Sequence, residues 1–213
     1  MTHRILVMAK APIPGTVKTR LGLHPQAAAQ LQAALIRDTV GKARSLAPTT
    51  VSGAPAHRLD LIRALLPDDV NLFAQELGDL GGRMLAGVQT LFAASSDPVL
   101  LFGTDAPTLP AEAIERAASA LASRDISIIQ SSDGGYVLLG LRRPVEAVFR
   151  GVDWSTEAVF RQTLQRADGA GLSVYEGDPW YDVDEPGDLA RLREELGARP
   201  ERAPWTADVL GLL

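Results

Sequence analysis

Five stretches carry residues whose types and spacing could do chemistry. In "VMAKAPIPGTVKTRL", residues 7–21, an apolar run stops at Lys10. Two prolines and Gly15 follow, and then Lys18 and Arg20 arrive close together. A proline–glycine turn can aim backbone amides at a ligand, and the three cations add charge. Arg20 could grip phosphate oxygens with two parallel bonds. The stretch lacks both GxxxxGK[ST] and GxGxxG, so it matches neither standard phosphate loop, and a solvated basic loop accounts for the same residues. In "VLLFGTDAPTL", residues 99–109, Asp105 comes directly after a strongly apolar run. A carboxylate beside a phosphate loop suits Mg²⁺, which takes one or two carboxylates plus phosphate oxygens and waters. A turn or helix cap is the alternative use.

In "WYDVDEPGDLARL", residues 180–192, Asp182 and Asp184 flank Val183. In extended chain their side chains share one face and could meet one cation. An acidic turn ahead of a helix opened by Pro186 explains them equally well. In "QELGDLGGRM", residues 75–84, Gly78, Gly81 and Gly82 surround Asp79 and Leu80. Glycines let backbone approach a base or phosphate closely, and a helix N-terminus welcomes an anion. Last come "SSDGGYVLLGL", residues 131–141, and "DWSTEAVF", residues 153–160. Asp133 is a third carboxylate, and Gly134-Gly135 could bend a hairpin. Trp154, Ser155 and Thr156 read as a pocket wall followed by a helix cap.

These residues must be held by something. Residues 4–9 read as a buried strand and residues 25–46 as a helix begun near Pro25. Apolar runs recur at 70–74, 98–103, 126–130 and 136–141, with helical patterns at 58–66, 80–95, 110–123 and 156–167. Alternating strands and helices predict an α/β fold with a mostly parallel sheet covered on both faces. The gap between the runs at 126–130 and 136–141 is too short for a crossover helix, so one strand should run antiparallel. Ligands of such sheets bind beyond the carboxyl ends of the strands, which is where most of the residues above fall. From Pro200 the chain reads as a tail packed by Trp205 and Leu210.

The totals set limits. The 213 residues suit one domain, 46% are apolar, and the net charge of −5 argues against a nucleic-acid-coating protein. There is no cysteine, hence no disulfide or thiolate nucleophile, and the three histidines are scattered without ligand spacing. No leader or membrane span is expected, and a cytoplasmic location is compatible with the composition.

In order, "KAPIPGTVKTRL", "QELGDLGGRM", "GTDAPTL", "DGGYVLLGL", "WSTEAVFRQTL" and "DVDEPGDL" resemble the signature blocks of the rSAM/selenodomain-associated transferase family. Some members of that family are named arsenosugar-biosynthesis glycosyltransferases. The resemblance covers residues 5 to about 195. It implies a GT-A-like nucleotide-diphospho-sugar transferase fold, a three-layer α/β/α sandwich, in a single domain with a core at 4–196 and a tail at 197–213. The blocks are also similar to those of 2-phospholactate guanylyltransferases. By this resemblance Lys10, Gly15, Lys18 and Arg20 would hold donor phosphates, and Gly78, Asp79, Leu80 and Gly81 would lie by the nucleotide. Asp105, with Asp182 or Asp184, would hold Mg²⁺ or Mn²⁺. Asp133, Gly134, Gly135, Tyr136, Trp154, Ser155 and Thr156 would face a small-molecule acceptor. The sequence departs from the family at Ala106, where cysteine is common, and at "QSSDGGY", which replaces a more usual "GPAxDGGY".

The expected activity is therefore metal-dependent transfer from a nucleotide-activated donor, with Lys18, Arg20, Asp105 and Asp133 as catalytic candidates. Asp133 would contact or deprotonate the acceptor. Glycosyl transfer is the first expectation and nucleotidyl transfer the close alternative. A non-catalytic nucleotide-binding protein is the third reading.

Overall fold

The structure is a computed structural model and describes residues 2–212. Among them, seven strands form one sheet in the order β3-β2-β1-β4-β6-β5-β7. They are β1 (Arg4–Lys10), β2 (Thr49–Ala54), β3 (Asn71–Ala74), β4 (Val99–Gly103), β5 (Ile126–Ser131), β6 (Tyr136–Leu141) and β7 (Val174–Trp180). The helices are α1 (Pro25–Leu46), α2 (Leu59–Arg63), α3 (Leu80–Ala94), α4 (Ala111–Ala120), α5 (Val159–Gly169), α6 (Pro186–Ala198) and α7 (Pro204–Leu212). β6 runs antiparallel to both β4 and β5, and every other pairing is parallel. The expected α/β fold with one reversed strand is therefore observed.

Burial follows the strand period of two. Ile5, Val7 and Ala9 of β1 point into one core with Ile36 and Val40 of α1 and Ile114 of α4. Leu6 points the other way, to Met84, Val88 and Leu91 of α3 and Ala167 of α5. Ile5, Leu6 and Val7 are all fully buried, as a central strand covered on both faces requires. A third cluster joins Leu31 and Leu35 of α1 to Leu189, Leu192 and Leu196 of α6. It fixes the chain after β7 against the layer containing α1.

Some expectations shift. β2 and β7 have no apolar run to announce them. "TTVSGA" is polar and small, and "VYEGDPW" lies on the sheet edge, half-exposed, where strong apolar patterning is not required. α5 begins at Val159 with Ala158 at its cap position, so neither Ser155 nor Thr156 caps it. The hydroxyl of Thr156 instead closes the preceding turn, donating to the Asp153 carbonyl at 2.7 Å. The tail forms a real helix, α7. The carboxylate of Asp38 on α1 accepts from the Trp205 and Thr206 amides and from the Thr206 hydroxyl, at 3.1, 2.7 and 2.6 Å. Trp205 is not a core anchor: it is half-exposed, with the Arg37 guanidinium 4.5 Å above its ring.

Candidate functional site

β1 and β4 lie side by side, and the chain order of the sheet reverses between them. In an open α/β sheet this switch point opens a crevice beyond the carboxyl ends of the strands. Buried Gln32 of α1 ties the two ends together from below. Its side-chain amide donates to the Lys10 carbonyl at 3.3 Å and the Thr104 hydroxyl at 3.2 Å. The loop after β1 supplies Lys18 and Arg20, and the loop after β4 supplies Asp105.

The segment after β7 completes the group. The Val183 amide donates to the Asp105 carbonyl at 2.8 Å, locking residues 182–184 against the β4 loop. The Lys18 ammonium then reaches three oxygens: Asp105 Oδ1 at 2.5 Å, Asp184 Oδ1 at 3.1 Å and the Val183 carbonyl at 2.7 Å. Its side chain is only 4% exposed. Burial acts to lower the pKa of Lys18, but Asp105 and Asp184 outweigh it and the pKa is raised, so the group stays an ammonium. Asp184 is opposed by burial, yet Lys18 and Arg20 hold its carboxyl below the usual carboxylate range. Arg20 reaches Asp184 Oδ2 at 2.6 Å and is itself 65% exposed. Lys10 lies apart, donating to the Thr16 carbonyl at 2.7 Å. Gly15 takes the left-handed conformation, φ 79°, in the turn between them.

Asp182 points elsewhere. It accepts from the Ser131 hydroxyl at 2.6 Å, and burial, with Asp133 and Asp184 nearby, raises its pKa although Ser131 opposes this. Among the described residues no group of three or more His, Cys, Asp or Glu side chains converges as a metal cage. A divalent metal therefore fits these residues only as a shared guest. Asp105 and Asp184 offer two hard oxygen donors that meet one cation position, and ligand oxygens and waters would have to complete the shell.

A second group of the sequence-predicted residues gathers at the start of α3. The Asp79 side chain caps that helix, accepting from the Gly82 amide at 2.7 Å. Gly81 lies against the Trp154 indole: a Cβ there would stand 2.2 Å from Trp154 Nε1. Trp154 meets Tyr136 edge-on, with ring centroids 6.5 Å apart, and the Tyr136 hydroxyl contacts Met84 Sδ at 3.7 Å. The glycine-rich turn at 78–81 and the Tyr136–Trp154 wall are thus one assembly. Asp133 stays exposed and folds its carboxylate onto the Gly135 amide at 2.9 Å. Gly134, φ 89°, is required where it sits, because a Cβ would strike the Glu157 carbonyl at 2.3 Å. Ser155 also takes a left-handed conformation, φ 65°, and with Thr156 it is exposed beside Trp154.

Sequence reasoning missed three contributors. Ser131 holds Asp182, and a terminal strand serine gave no sign of that. Gln75 ties the turn after β3 to the Ser52 carbonyl at 2.9 Å, and Arg83 reaches Gln75 Oε1 at 3.3 Å. Gln75, a polar residue directly past the end of β3, was the available signal, and Arg83 within α3 gave none.

Comparison with known proteins agrees with this architecture. The family model described as "Uncharacterized protein conserved in bacteria (DUF2064)" matches residues 20–156. A crystal structure from Desulfovibrio desulfuricans, provisionally named a nucleotide-diphospho-sugar transferase, is 32% identical with a TM-score of 0.90, covering 99% of this chain and 94% of that one. Rv0371C of Mycobacterium tuberculosis, solved in complex with manganese, is similar in fold at 17% identity and a TM-score of 0.57, over 91% of this chain and 99% of that one. A nucleotidyl transferase from Methanothermobacter is similar in fold at 18% identity and a TM-score of 0.60, over 93% and 99%. No curated protein matches the chain. Among the described residues no helix is long and apolar enough to cross a membrane.

Proposed function

We propose that this chain, which belongs to the DUF2064 family, is a divalent-metal-dependent transferase that moves a glycosyl group from a nucleotide sugar to a small-molecule acceptor. One observation carries the reading. Lys18, Arg20, Asp105 and Asp184 converge beyond the carboxyl ends of β1 and β4, in a chain whose 32%-identical relative bears a nucleotide-diphospho-sugar transferase name. The finer assignment to the rSAM/selenodomain-associated group rests on the six ordered sequence blocks. The reading also takes the chain to act as one catalytic domain, in the cytoplasm.

Each residue has a part. Asp105 and Asp184 would hold Mg²⁺ or Mn²⁺, which supplies Lewis-acid neutralisation of the donor's diphosphate. Arg20 is exposed on its guanidinium side and offers a forked pair of donors to phosphate oxygens. The first-turn amides of Leu80 and Gly81 have no acceptor within α3 and present the positive end of the helix dipole to an anion. Gly78 and Gly81 let the nucleotide approach the backbone. Trp154 and Tyr136 form a wall for the acceptor, with Ser155 and Thr156 as hydroxyl donors. Asp133 is close enough to solvent to receive an acceptor proton. Leaving-group charge is met by Lys18 and Arg20 through fixed electrostatics.

A second reading, nucleotidyl transfer from a nucleoside triphosphate, is favoured by one feature. The loop after β1 carries three cations, Lys10, Lys18 and Arg20, and a triphosphate presents more charge to such a loop than a diphosphate does. A thermal-shift panel with Mg²⁺ or Mn²⁺ separates the readings. A ligand at ~100 times its dissociation constant adds roughly 2.7 kcal/mol of stability. Selective stabilisation by one nucleotide sugar, lost without metal, supports glycosyl transfer. Selective stabilisation by a triphosphate moves the assignment to nucleotidyl transfer. Binding that survives Asp105→Asn without turnover by the wild type would indicate a non-catalytic binder, and silence towards every nucleotide would sink the proposal.

A further inference from the structure

Lys18 is an unusual residue for its place. Its backbone is left-handed, φ 50° and ψ 35°, a region that non-glycine residues seldom occupy. Its side chain is nearly closed off from solvent. An ammonium has three N–H donors, and here three oxygens surround it: one each from Asp105 and Asp184, and the Val183 carbonyl. The ammonium is coordinated as a metal ion would be, by the same two carboxylates.

We infer that Lys18 is the resident cation of this carboxylate pair, so that the free protein excludes a free divalent metal, and the metal enters only together with the donor's phosphates. This rests on the metal-dependent reading above. The reason is charge balance. Asp105 and Asp184 carry two negative charges, and Lys18 and Arg20 carry two positive ones. A divalent metal arriving alone would leave an excess of two positive charges in a half-buried site and would take two of the three acceptors from the Lys18 ammonium, leaving the Val183 carbonyl. Burying a cation without partners costs heavily. Phosphate oxygens arriving with the metal remove both difficulties, since they cancel the added charge and give the ammonium new acceptors.

The test uses Mn²⁺ alone, titrated into the full-length protein and followed by the electron paramagnetic resonance signal of the free ion. Wild type, Lys18→Met and Lys18→Asn are compared, each with and without Asp105→Asn. Met preserves side-chain length, and Asn tolerates the left-handed backbone, so the fold is kept by at least one variant, checked by circular dichroism. The expected result is weak binding by wild type and binding at least about tenfold tighter in the Lys18 variants, because a positive charge touching both carboxylates has gone. Asp105→Asn should abolish that gain. The melting temperature of Lys18→Met should also rise at Mn²⁺ concentrations that leave the wild type unmoved. Equal or weaker binding in the Lys18 variants, still sensitive to Asp105→Asn, overturns the inference and leaves the metal-dependent reading standing. Absence of Mn²⁺ binding in all the proteins, even with nucleotides present, overturns both.

Discussion

Two ionic clusters join the loop after β4 to the chain that follows β7, and they are built to opposite ends. In the first, Asp105 and Asp184 meet Lys18 and Arg20. In the second, a few residues along both segments, the Thr108 hydroxyl lies 3.2 Å from the Tyr181 hydroxyl and donates to Glu195 at 2.9 Å. Glu195 also receives Tyr181 and Arg202, and Arg191 stacks 3.9 Å from the Tyr181 ring. Thr108 and Tyr181 are almost fully buried, and the Glu195 side chain is 16% exposed. The second cluster is closed, and its donors converge on one carboxylate. The first is open: the Asp105 side chain is 44% exposed and that of Arg20 65%. Closed, mutually satisfied charge stabilises. Open charge, balanced by a side chain that other ligands could replace, is accessible for binding, as the proposed function requires.

Breaking the open cluster should give the largest effect. Asp105→Asn is expected to lower turnover with the cognate donor by roughly 10²–10³, the scale of losing one group that stabilises developing charge. Its melting temperature should fall only modestly, because the carboxylate is half-exposed and the asparagine amide oxygen can still accept from the buried Lys18 ammonium. An equal loss of activity and of stability would show that the open cluster is structural after all.

The closed cluster should behave in reverse. Glu195→Gln is expected to cost about 2–3 kcal/mol in denaturant unfolding, since hydrogen bonds to a charged group are worth roughly 1.5–3 kcal/mol, while activity per folded molecule is kept. pH sharpens the contrast. Burial acts to raise the Glu195 pKa, but Tyr181, Arg202 and Thr108 more than offset it and hold the carboxyl below its usual range. A carboxyl with a depressed folded pKa stabilises above its unfolded value, about 4.3, and loses that contribution as pH falls through the folded value. The gap between wild type and Glu195→Gln should therefore be widest at neutral pH and close on acidification below about pH 4. A gap that widens in acid would contradict the sign of this shift.

The smallest effect tests the contact between α3 and the Trp154 wall, outside both clusters. Gly81→Ala would push a methyl into the Trp154 indole, an overpacking expected to cost about 1–2 kcal/mol. On the proposed function it should also weaken the thermal response to the donor, because that reading places the nucleotide at the 78–81 turn. Full retention of that response would detach the Gly81–Trp154 contact from the donor site.

Much of this was legible from residue order. The helix at 25–46 is observed as Pro25–Leu46, because a proline start and a long apolar stripe leave little choice. The reversed strand was legible because a short glycine turn cannot carry a crossover. Asp105 stood out because it comes just after an apolar run, and Asp182 and Asp184 because they alternate around Val183 ahead of a proline-opened helix. The start of α5 was misjudged because Ser155 and Thr156 look like caps, yet the left-handed Ser155 sets a turn that delays the helix to Val159. β7 was missed because its apolar residues are few and only partly buried: Val174 packs on one core cluster and Trp180 on another, with the polar run at 176–179 between them.

By itself, then, the sequence determined the alternation of strands and helices, the site loops at the strand ends, and the types of group those loops carry. These follow from short-range periodicity and turn chemistry, which are written in neighbouring residues. Only the tertiary structure decided which carboxylate faces which cation. Asp182 and Asp184 are two residues apart and equivalent on paper. One turns to Ser131 and the other to Lys18 and Arg20. That choice depends on a backbone bond from Val183 to Asp105, between segments far apart in the chain. No local pattern encodes it, because it exists only once the sheet has brought the ends of β4 and β7 into reach.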